Sequence, residues 1–176
     1  VYDEAPVYLD PPSNQWFGMQ VWSLQRLAEL YYKTGDERCE SVLNKWADWA
    51  IANTEFTSNG YKMPATLKWE GQPGTWDENS KSSDNSNLHV TISAKTDADI
   101  GVAGSYANTL LWTAKANENN GNKEAAKKQK DAAEKLLEAM WNNYRDDYGI
   151  AKSEEIDPAK YFDSEVFVPN NYKGVM

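Results

Sequence analysis

The spacing of apolar residues constrains the fold more than any other feature of this sequence. Apolar side chains recur at three- and four-residue intervals in four segments, which predicts helices over about 15–33, 37–53, 97–117 and 122–144. A glycine-containing turn separates the helices of each pair, so the two halves of the chain repeat one helical hairpin. Consecutive hairpins are typical of an α-toroid or α-solenoid more than of a compact four-helix bundle. We therefore expect an all-α fold.

The expected core follows from the apolar stripes of these helices. Ser13 or Asn14 is the predicted N-cap of the first helix, and the third helix begins at Asp97 or Asp99. The residues predicted to be buried are Phe17, Val21, Leu24, Leu27, Ala28 and Tyr31 in the first helix, Val42, Trp46, Trp49 and Ala50 in the second, and Ala126, Ala133, Leu136, Leu137 and Met140 in the fourth.

The segment between the two hairpins, residues 54–96, is rich in Gly, Pro, Asn, Ser and Thr. It predicts short strands at 61–69 and 87–93, and a third is expected at 166–168 in the loop-like tail. A connection this long within a helical chain is usually functional, so we expect it at the mouth of the fold.

Charge and composition exclude several classes of function. Lys and Arg number 18 against 27 Asp and Glu, a net charge of −9, and no basic stripe suited to nucleic acid is present. No run of about 18 apolar residues occurs, so no transmembrane helix is expected. The single cysteine, Cys39, excludes an internal disulfide and a cysteine-based zinc site. The single histidine, His89, lies in a predicted strand and is interpreted as structural.

Aromatic residues are frequent in a chain that is otherwise polar, with eight Trp and ten Tyr at a mean hydropathy of −0.78. A buried indole needs a partner for its N–H group, so a small core cannot easily hold all of them. Some indoles should therefore line a cleft. Aromatic faces with carboxylates and amides nearby are typical of a carbohydrate-binding surface.

Trp16 and Trp22, with Gln20 between them, form the first candidate site. Six residues turn a helix through about 600°, so the two indoles should point about 120° apart. Either one indole is core and the other covers the helix end, or both lie on the concave side and stack on successive sugar rings.

The second candidate site consists of Asp97 and Asp99, which lie just before Gly101 and Gly104. One aspartate is expected as an N-cap and the other in the first helical turn, where the helix dipole favours the ionised carboxylate. Such a group facing a cleft suits a general base or an acceptor for sugar hydroxyls, and the glycines leave room for substrate. The alternative is that both are ordinary helix-start residues.

The acidic loop at residues 2–10 is a third candidate, because its carboxylates and backbone carbonyls suit calcium. Its spacing is not that of an EF-hand, and solvated loop acids are the alternative interpretation.

Several motifs together resemble one family. The run YDEAPVYLDPP at 2–12, followed by NQWFGMQVWS at 14–23, is similar to the central part of glycoside hydrolase family 48, the processive cellulases. GQPGTW at 71–76, DIGVAGSYA at 99–107 and the segment 161–169 fit as well. The chain begins without Met and ends in a polar stretch. We expect it to be an internal fragment, a single partial domain over 1–176.

This resemblance implies an (α/α)6 barrel that hydrolyses β-1,4-glucan with inversion and releases cellobiose processively from reducing ends. Inversion needs an acid and a base about 6.5–9.5 Å apart. The family's general-acid glutamate and its favoured base aspartate lie upstream of this chain, so the isolated chain is expected to be inactive. No cofactor is required for the chemistry, and structural calcium is expected.

The resemblance also assigns individual residues. Asp99 matches an aspartate considered as base or as sugar contact. Trp16 and Trp22 match indoles on the product side of the cleft, and Gln20 is counted with them. The remaining matches are Tyr8 and Trp76 as aromatic sugar contacts and Asp10 as a calcium ligand.

The expected partners are cellulose and cello-oligosaccharides, and a cellulosome scaffold bound through a module outside this chain. Neither nucleic acid nor a membrane is expected as a partner, and the protein is expected to be secreted. Two other classes fit the same pattern. One is another α-toroid glycosidase or a polysaccharide lyase, and the other is a non-catalytic glucan-binding helical-repeat module.

Overall fold

The computed structural model describes residues 15–58, 60–71, 74, 77–80, 82, 84–153 and 173. These residues form two helical hairpins with a small antiparallel sheet between them, in strand order β1-β2-β3. The elements are α1 (Phe17–Thr34), α2 (Glu37–Asn53), β1 (Glu55–Thr57), β2 (Gly60–Glu70), β3 (His89–Thr96), α3 (Ile100–Asn119) and α4 (Lys123–Asn143).

The four predicted helices are confirmed, and α2 has the predicted bounds. The segment between the hairpins holds the two predicted strands, with β3 at His89–Thr96 rather than 87–93, and β1 was not predicted. The strand predicted at 166–168 lies outside the described residues. The three strands of the long connection are thus paired in one antiparallel sheet.

The start of α1 differs from the prediction. Its N-cap is Trp16, which makes no side-chain cap, whereas Ser13 and Asn14 lie outside the described residues. Trp16 has an extended backbone, with φ −98° and ψ 123°, and bridges to Thr66 of β2. The chain therefore enters α1 from the sheet.

Both hairpin turns use a left-handed glycine followed by a capping side chain. Gly35 (φ 67°) ends α1, and Asp36 Oδ1 accepts a 2.9 Å hydrogen bond from the Arg38 amide at the start of α2. In the second hairpin Gly121 (φ 85°) precedes Asn122, whose Oδ1 accepts from the Ala125 amide at 3.4 Å. A non-glycine residue rarely adopts these φ values, so the repeated glycines fix where the chain reverses.

The helices α1 and α3 lie side by side and run in the same direction. Phe17, at the start of α1, packs edge-on against Tyr106 of α3, with ring centroids 5.6 Å apart. Near the other ends, Tyr31 Oη donates to Asn117 Oδ1 at 3.1 Å. Small buried residues such as Ala103 and Ala107 allow this close approach along α3.

A buried polar network joins one residue from each helix: Tyr31, Asn44, Asn117 and Gln129. Asn117 Nδ2 donates to Asn44 Oδ1 at 2.7 Å and to Gln129 Oε1 at 2.9 Å. Asn117 Oδ1 accepts from Tyr31 and from Asn44 Nδ2, and Gln129 Nε2 donates to Asn44 Oδ1. Asn117 therefore uses both of its donors and both lone pairs of its acceptor.

Two residues predicted to be buried are exposed. Val42 on α2 is 50% exposed because that helix buries another face, formed by Cys39, Leu43, Ala47 and Ala50. Leu137 on α4 is 42% exposed, because it lines an open groove instead of the packed core. Leu24, Leu27, Trp46 and Trp49 are only partly buried, and the other predicted core residues are buried.

We expect Asn117→Ala to lower the free energy of unfolding by about 2–4 kcal/mol, because it leaves several buried polar groups without partners. Urea unfolding of the chain measures this, with Asn142→Ala, at an exposed position of α4, as the control. The control should change stability by less than about 0.5 kcal/mol. Equal effects of the two substitutions would contradict the role given to the network.

Candidate functional site

The candidate residues that the structure describes lie at the end of the hairpins that carries the sheet. Trp16 at the start of α1 pairs with Thr66 of β2, and Thr66 pairs in turn with Ala94 of β3. The chain leaves β3 at Thr96 and enters α3 at Ile100. The long connection therefore lies where α1 and α3 begin, so the tryptophan pair and the aspartate pair share this end.

Trp16 and Trp22 contact each other edge-on, with ring centroids 4.8 Å apart and planes at 86°. The predicted divergence of about 120° is wrong, because Trp16 precedes the first helical residue. Trp16 packs against the core, whereas Trp22 is 48% exposed. Trp16 is therefore the more buried of the two indoles, and its ring packs against the edge-on partner Trp22, which stays exposed.

Gly18 is required for this arrangement. A Cβ atom at Gly18 would lie 2.5 Å from the Trp16 ring, closer than any real contact. The indole thus lies directly against the backbone of the first turn of α1.

Gln20 faces α2. Its Oε1 accepts a 3.2 Å hydrogen bond from the indole nitrogen of Trp46, which stacks on Phe17. The side chain predicted to bind substrate thus supplies the partner that a partly buried indole needs.

Asp99 is the N-cap of α3, since its Oδ1 accepts a 3.1 Å hydrogen bond from the Val102 amide. The prediction that the other aspartate lies in the first helical turn is wrong, because α3 begins at Ile100 and Asp97 precedes it. A Cβ atom added at Gly104 would meet no atom within 4 Å. The half-buried Asp99 carboxylate therefore lies at the positive end of a helix with open space beside the next turn.

Asp97 lies in a cluster that sequence reasoning missed. Lys152 Nζ lies 2.5 Å from Asp97 Oδ1, and the Tyr144 hydroxyl donates to Oδ2 at 3.5 Å. The hydrogen bond from Lys152 lowers the pKa of the Asp97 carboxyl below its usual value. The partners follow α4, far along the chain, and no local pattern predicts such a pair.

Tyr61 on β2 belongs to the same cluster. Its side chain is buried, and its hydroxyl has no hydrogen-bond partner among the described residues. Burial raises the pKa of Tyr61 well above its usual value, with further contributions from Tyr144, Asp97 and Asp99. Burial therefore favours the neutral hydroxyl, which can donate a hydrogen bond.

Two exposed aromatic features were also missed. Trp69 on β2, opposite Val90, is 42% exposed, and alternation along the strand could have identified it. A groove of about 700 Å³ between α3 and α4 is lined by Ile100, Gly104, Leu137, Trp141 and Ile150. Glu138 and Asn142 also line it, but its wall is mostly apolar, and no local pattern shows that this side stays uncovered.

The remaining predicted residues, Tyr8, Asp10 and Trp76, lie outside the described residues. Within the described part of the chain, no group of three or more His, Cys, Asp or Glu could hold a metal ion. The calcium site at Asp10 stays a prediction. No helix in that part is long and apolar enough to cross a membrane.

We expect Gly18→Ala to lower the free energy of unfolding by about 1–3 kcal/mol, because the added methyl group overlaps the Trp16 ring. Gly104→Ala is the matched control, since it faces open space and should stabilise α3 by about 0.5–1 kcal/mol. Thermal or urea unfolding with near-ultraviolet circular dichroism measures both. If Gly18→Ala left the aromatic signal and stability unchanged, the ring would not lie against Gly18.

Comparison with known proteins gives a match over the whole sequence. The sequence model of the family described as "Glycosyl hydrolase family 48" matches residues 1–176. Endoglucanase F of Ruminiclostridium cellulolyticum is 47% identical over 177 residues, which cover 99% of this chain and 23% of that protein.

Two further relatives have the same coverage of this chain. Exoglucanase-2 of Thermoclostridium stercorarium is 45% identical and is covered over 18% of its length. The protein of Acetivibrio thermocellus named cellulose 1,4-beta-cellobiosidase (reducing end) CelS is 38% identical and is covered over 24%. The chain thus spans about a quarter or less of the length of these relatives.

Proposed function

Because this chain belongs to glycosyl hydrolase family 48, we propose that it is one part of a longer catalytic domain that hydrolyses the β-1,4-glucosidic bonds of cellulose. The enzyme releases cellobiose processively from reducing ends, with inversion at the anomeric carbon. The family match over residues 1–176 carries this proposal. The relatives named as an endoglucanase, an exoglucanase and a reducing-end cellobiosidase support it.

The proposed architecture is an (α/α)6 barrel to which this chain contributes two hairpins. The parallel arrangement of α1 and α3, with their hairpin partners α2 and α4 returning, supports it. The mostly apolar groove between α3 and α4 also supports it, because neighbouring helices of such a barrel would cover Leu137 and Trp141. The active site would then lie at the end that carries the sheet.

Trp22 is proposed as a sugar-stacking platform on the product side. Its ring is 48% exposed and is held edge-on by Trp16, so a glucosyl ring meets a preoriented face. Tyr8 and Trp76 would add further platforms. Gln20 would contribute through its amide nitrogen, which carries two donors suited to sugar hydroxyls, while its oxygen stays with Trp46.

Asp99 is proposed as a general base or as an acceptor for a sugar hydroxyl. As a base, its carboxylate would take a proton from the water that attacks the anomeric carbon, while an acid outside this chain protonates the leaving oxygen. Its place at the N-terminus of α3 favours the charged form that this role requires.

Calcium bound in part by Asp10, attachment to a cellulosome scaffold through a module outside this chain, and secretion are proposed on the same family basis. They do not enter the chemistry of Asp99 or the stacking on Trp22.

The substitution Asp99→Asn in the longer enzyme tests the catalytic role. We expect kcat on amorphous cellulose to fall on the order of a hundredfold or more with little change in KM, because the charged carboxylate that would accept a proton or a sugar hydroxyl is removed and the side-chain shape is kept. Asp131→Asn, at an exposed ion pair on α4, is the control and should leave both constants within about twofold. Wild-type kcat in Asp99→Asn would remove that carboxylate from the reaction.

The substitution Trp22→Ala tests the stacking role. The binding free energy of cellobiose as an inhibitor should weaken by about 1–3 kcal/mol, because the sugar loses the indole face on which it stacks. Trp22→Phe keeps a smaller aromatic face, so its inhibition constant for cellobiose should lie between those of the wild type and Trp22→Ala. Unchanged inhibition in Trp22→Ala would place this ring outside the product site.

The isolated 176-residue chain should release no cellobiose, because the general acid lies outside it. Measurable release would contradict this assignment of the acid. Cleavage of uronic polymers by the longer enzyme, without hydrolysis of cellulose, would favour a polysaccharide lyase instead.

A further inference from the structure

Two parts of the chain meet at the Asp97 carboxylate, and a third packs beside it. Asp97 lies between β3 and α3, and its carboxylate contacts Tyr144 and Lys152, which follow α4. Tyr61 of β2 packs edge-on against the Tyr144 ring, with ring centroids 6.3 Å apart. A Cβ atom at Gly60 would lie 3.4 Å from the Tyr144 hydroxyl, which shows how closely β2 approaches this group. The family comparison assigns no role to this cluster.

Lys152 is presented by a closed turn. The Ala151 amide donates to the Tyr144 carbonyl at 2.8 Å, and Arg145 and Ile150 form a bridge between the two arms. Within the turn, Asp146 Oδ1 accepts 2.8 Å hydrogen bonds from the amides of Tyr148 and Gly149. Lys152 is therefore carried by ordered backbone, and its side chain is 24% exposed.

The segment from Asp97 to Asp99 is short and tightly bonded. The Ala98 amide donates to Thr96 Oγ1 at 3.0 Å, and the Ile100 amide donates to the Ala98 carbonyl at 2.9 Å. Asp99 then caps α3 through Val102. Because Ala98 alone separates the two aspartates, a contact that holds Asp97 in place also restricts the movement of the Asp99 side chain.

The ion pair also changes the charge near Asp99. Among the residues that the structure describes, the charged and titratable groups around Asp97 are Lys152 and Tyr144 from the segment after α4, Tyr61 from β2, and Asp99 along the chain. Lys152 is the one positive group in this set. Without it, Asp97 would be an uncompensated negative charge two residues from Asp99, and like charges disfavour ionisation of their neighbours.

We propose that Lys152 is a positioning residue for Asp99. Its ion pair with Asp97 holds the segment between β3 and α3 against Tyr144, which packs on Tyr61, and it offsets the Asp97 charge beside the candidate base. The kinetic consequence rests on the proposed function, whereas the structural consequence does not.

Hydrogen exchange of the longer enzyme tests the structural consequence. In Lys152→Met, the amide of Val102, which is bonded to Asp99, should exchange about tenfold faster or more. Lys152→Arg keeps the charge and should restore protection. Lys128→Met removes the ion pair with Asp48 between α4 and α2 and is the matched control.

Wild-type protection of Val102 in Lys152→Met would overturn the proposal, and so would an equal loss in Lys128→Met. If Lys152→Met does not fold, Asp97→Asn replaces it, because it removes the charge and keeps the side-chain shape. The same increase in exchange is expected there.

The pH profile of kcat/KM on cellulose tests the kinetic consequence. Lys152→Met should lower kcat on the order of tenfold to a hundredfold, keep KM within about threefold, and move the acidic limb to higher pH. Lys152→Arg should recover the wild-type profile. A fall in kcat without movement of the acidic limb would overturn the electrostatic part.

The two tests separate the failures. If the wild-type longer enzyme hydrolyses no β-glucan, the proposed function fails, and exchange at Val102 still decides the role of Lys152. If the wild type is active and Lys152→Met behaves like Lys128→Met, only the role of Lys152 fails.

Discussion

The amide of Asn117 contacts all three other helices, and the arrangement of the two hairpins depends on it. Its four hydrogen-bonding positions are filled by Tyr31, Asn44 and Gln129. A buried amide tolerates little sliding of one helix past another, because any shift leaves a donor or acceptor without a partner. Apolar packing alone would not fix the axial position of these helices so closely.

That registration decides what lies at the other end of the hairpins. With α1 and α3 aligned at Asn117, Phe17 meets Tyr106, and the first residues of both helices reach the sheet together. Trp22 and Asp99 are therefore placed at the same end by contacts far from either. The exposed ring of Trp22 packs against Trp16. The Asp99 carboxylate is held by its hydrogen bond at the start of α3, next to the ion pair of Asp97.

The helix limits at the turn between α1 and α2 were predictable from local sequence. Gly35 adopts the left-handed conformation that ends α1, and the Asp36 side chain caps α2. Burial was less predictable, since Val42 and Leu137 depend on which neighbour covers each face. The predicted geometry of Trp16 and Trp22 was wrong, because Trp16 pairs with Thr66 of the sheet and the helix begins only at Phe17. The Asp97–Lys152 pair joins residues that no local pattern relates. The family, by contrast, was evident from short motifs, and the match over 1–176 confirms it.

The proposed function requires that this end of the chain bind a glucose polymer in the longer enzyme. A crystal structure of that enzyme with a cello-oligosaccharide tests it most directly. We expect a glucosyl ring stacked on the open face of Trp22 and the Asp99 carboxylate within hydrogen-bond distance of a sugar hydroxyl or of a water beside the anomeric carbon. A sugar chain bound elsewhere, with Trp22 covered by other helices and Asp99 turned to bulk solvent, would contradict it.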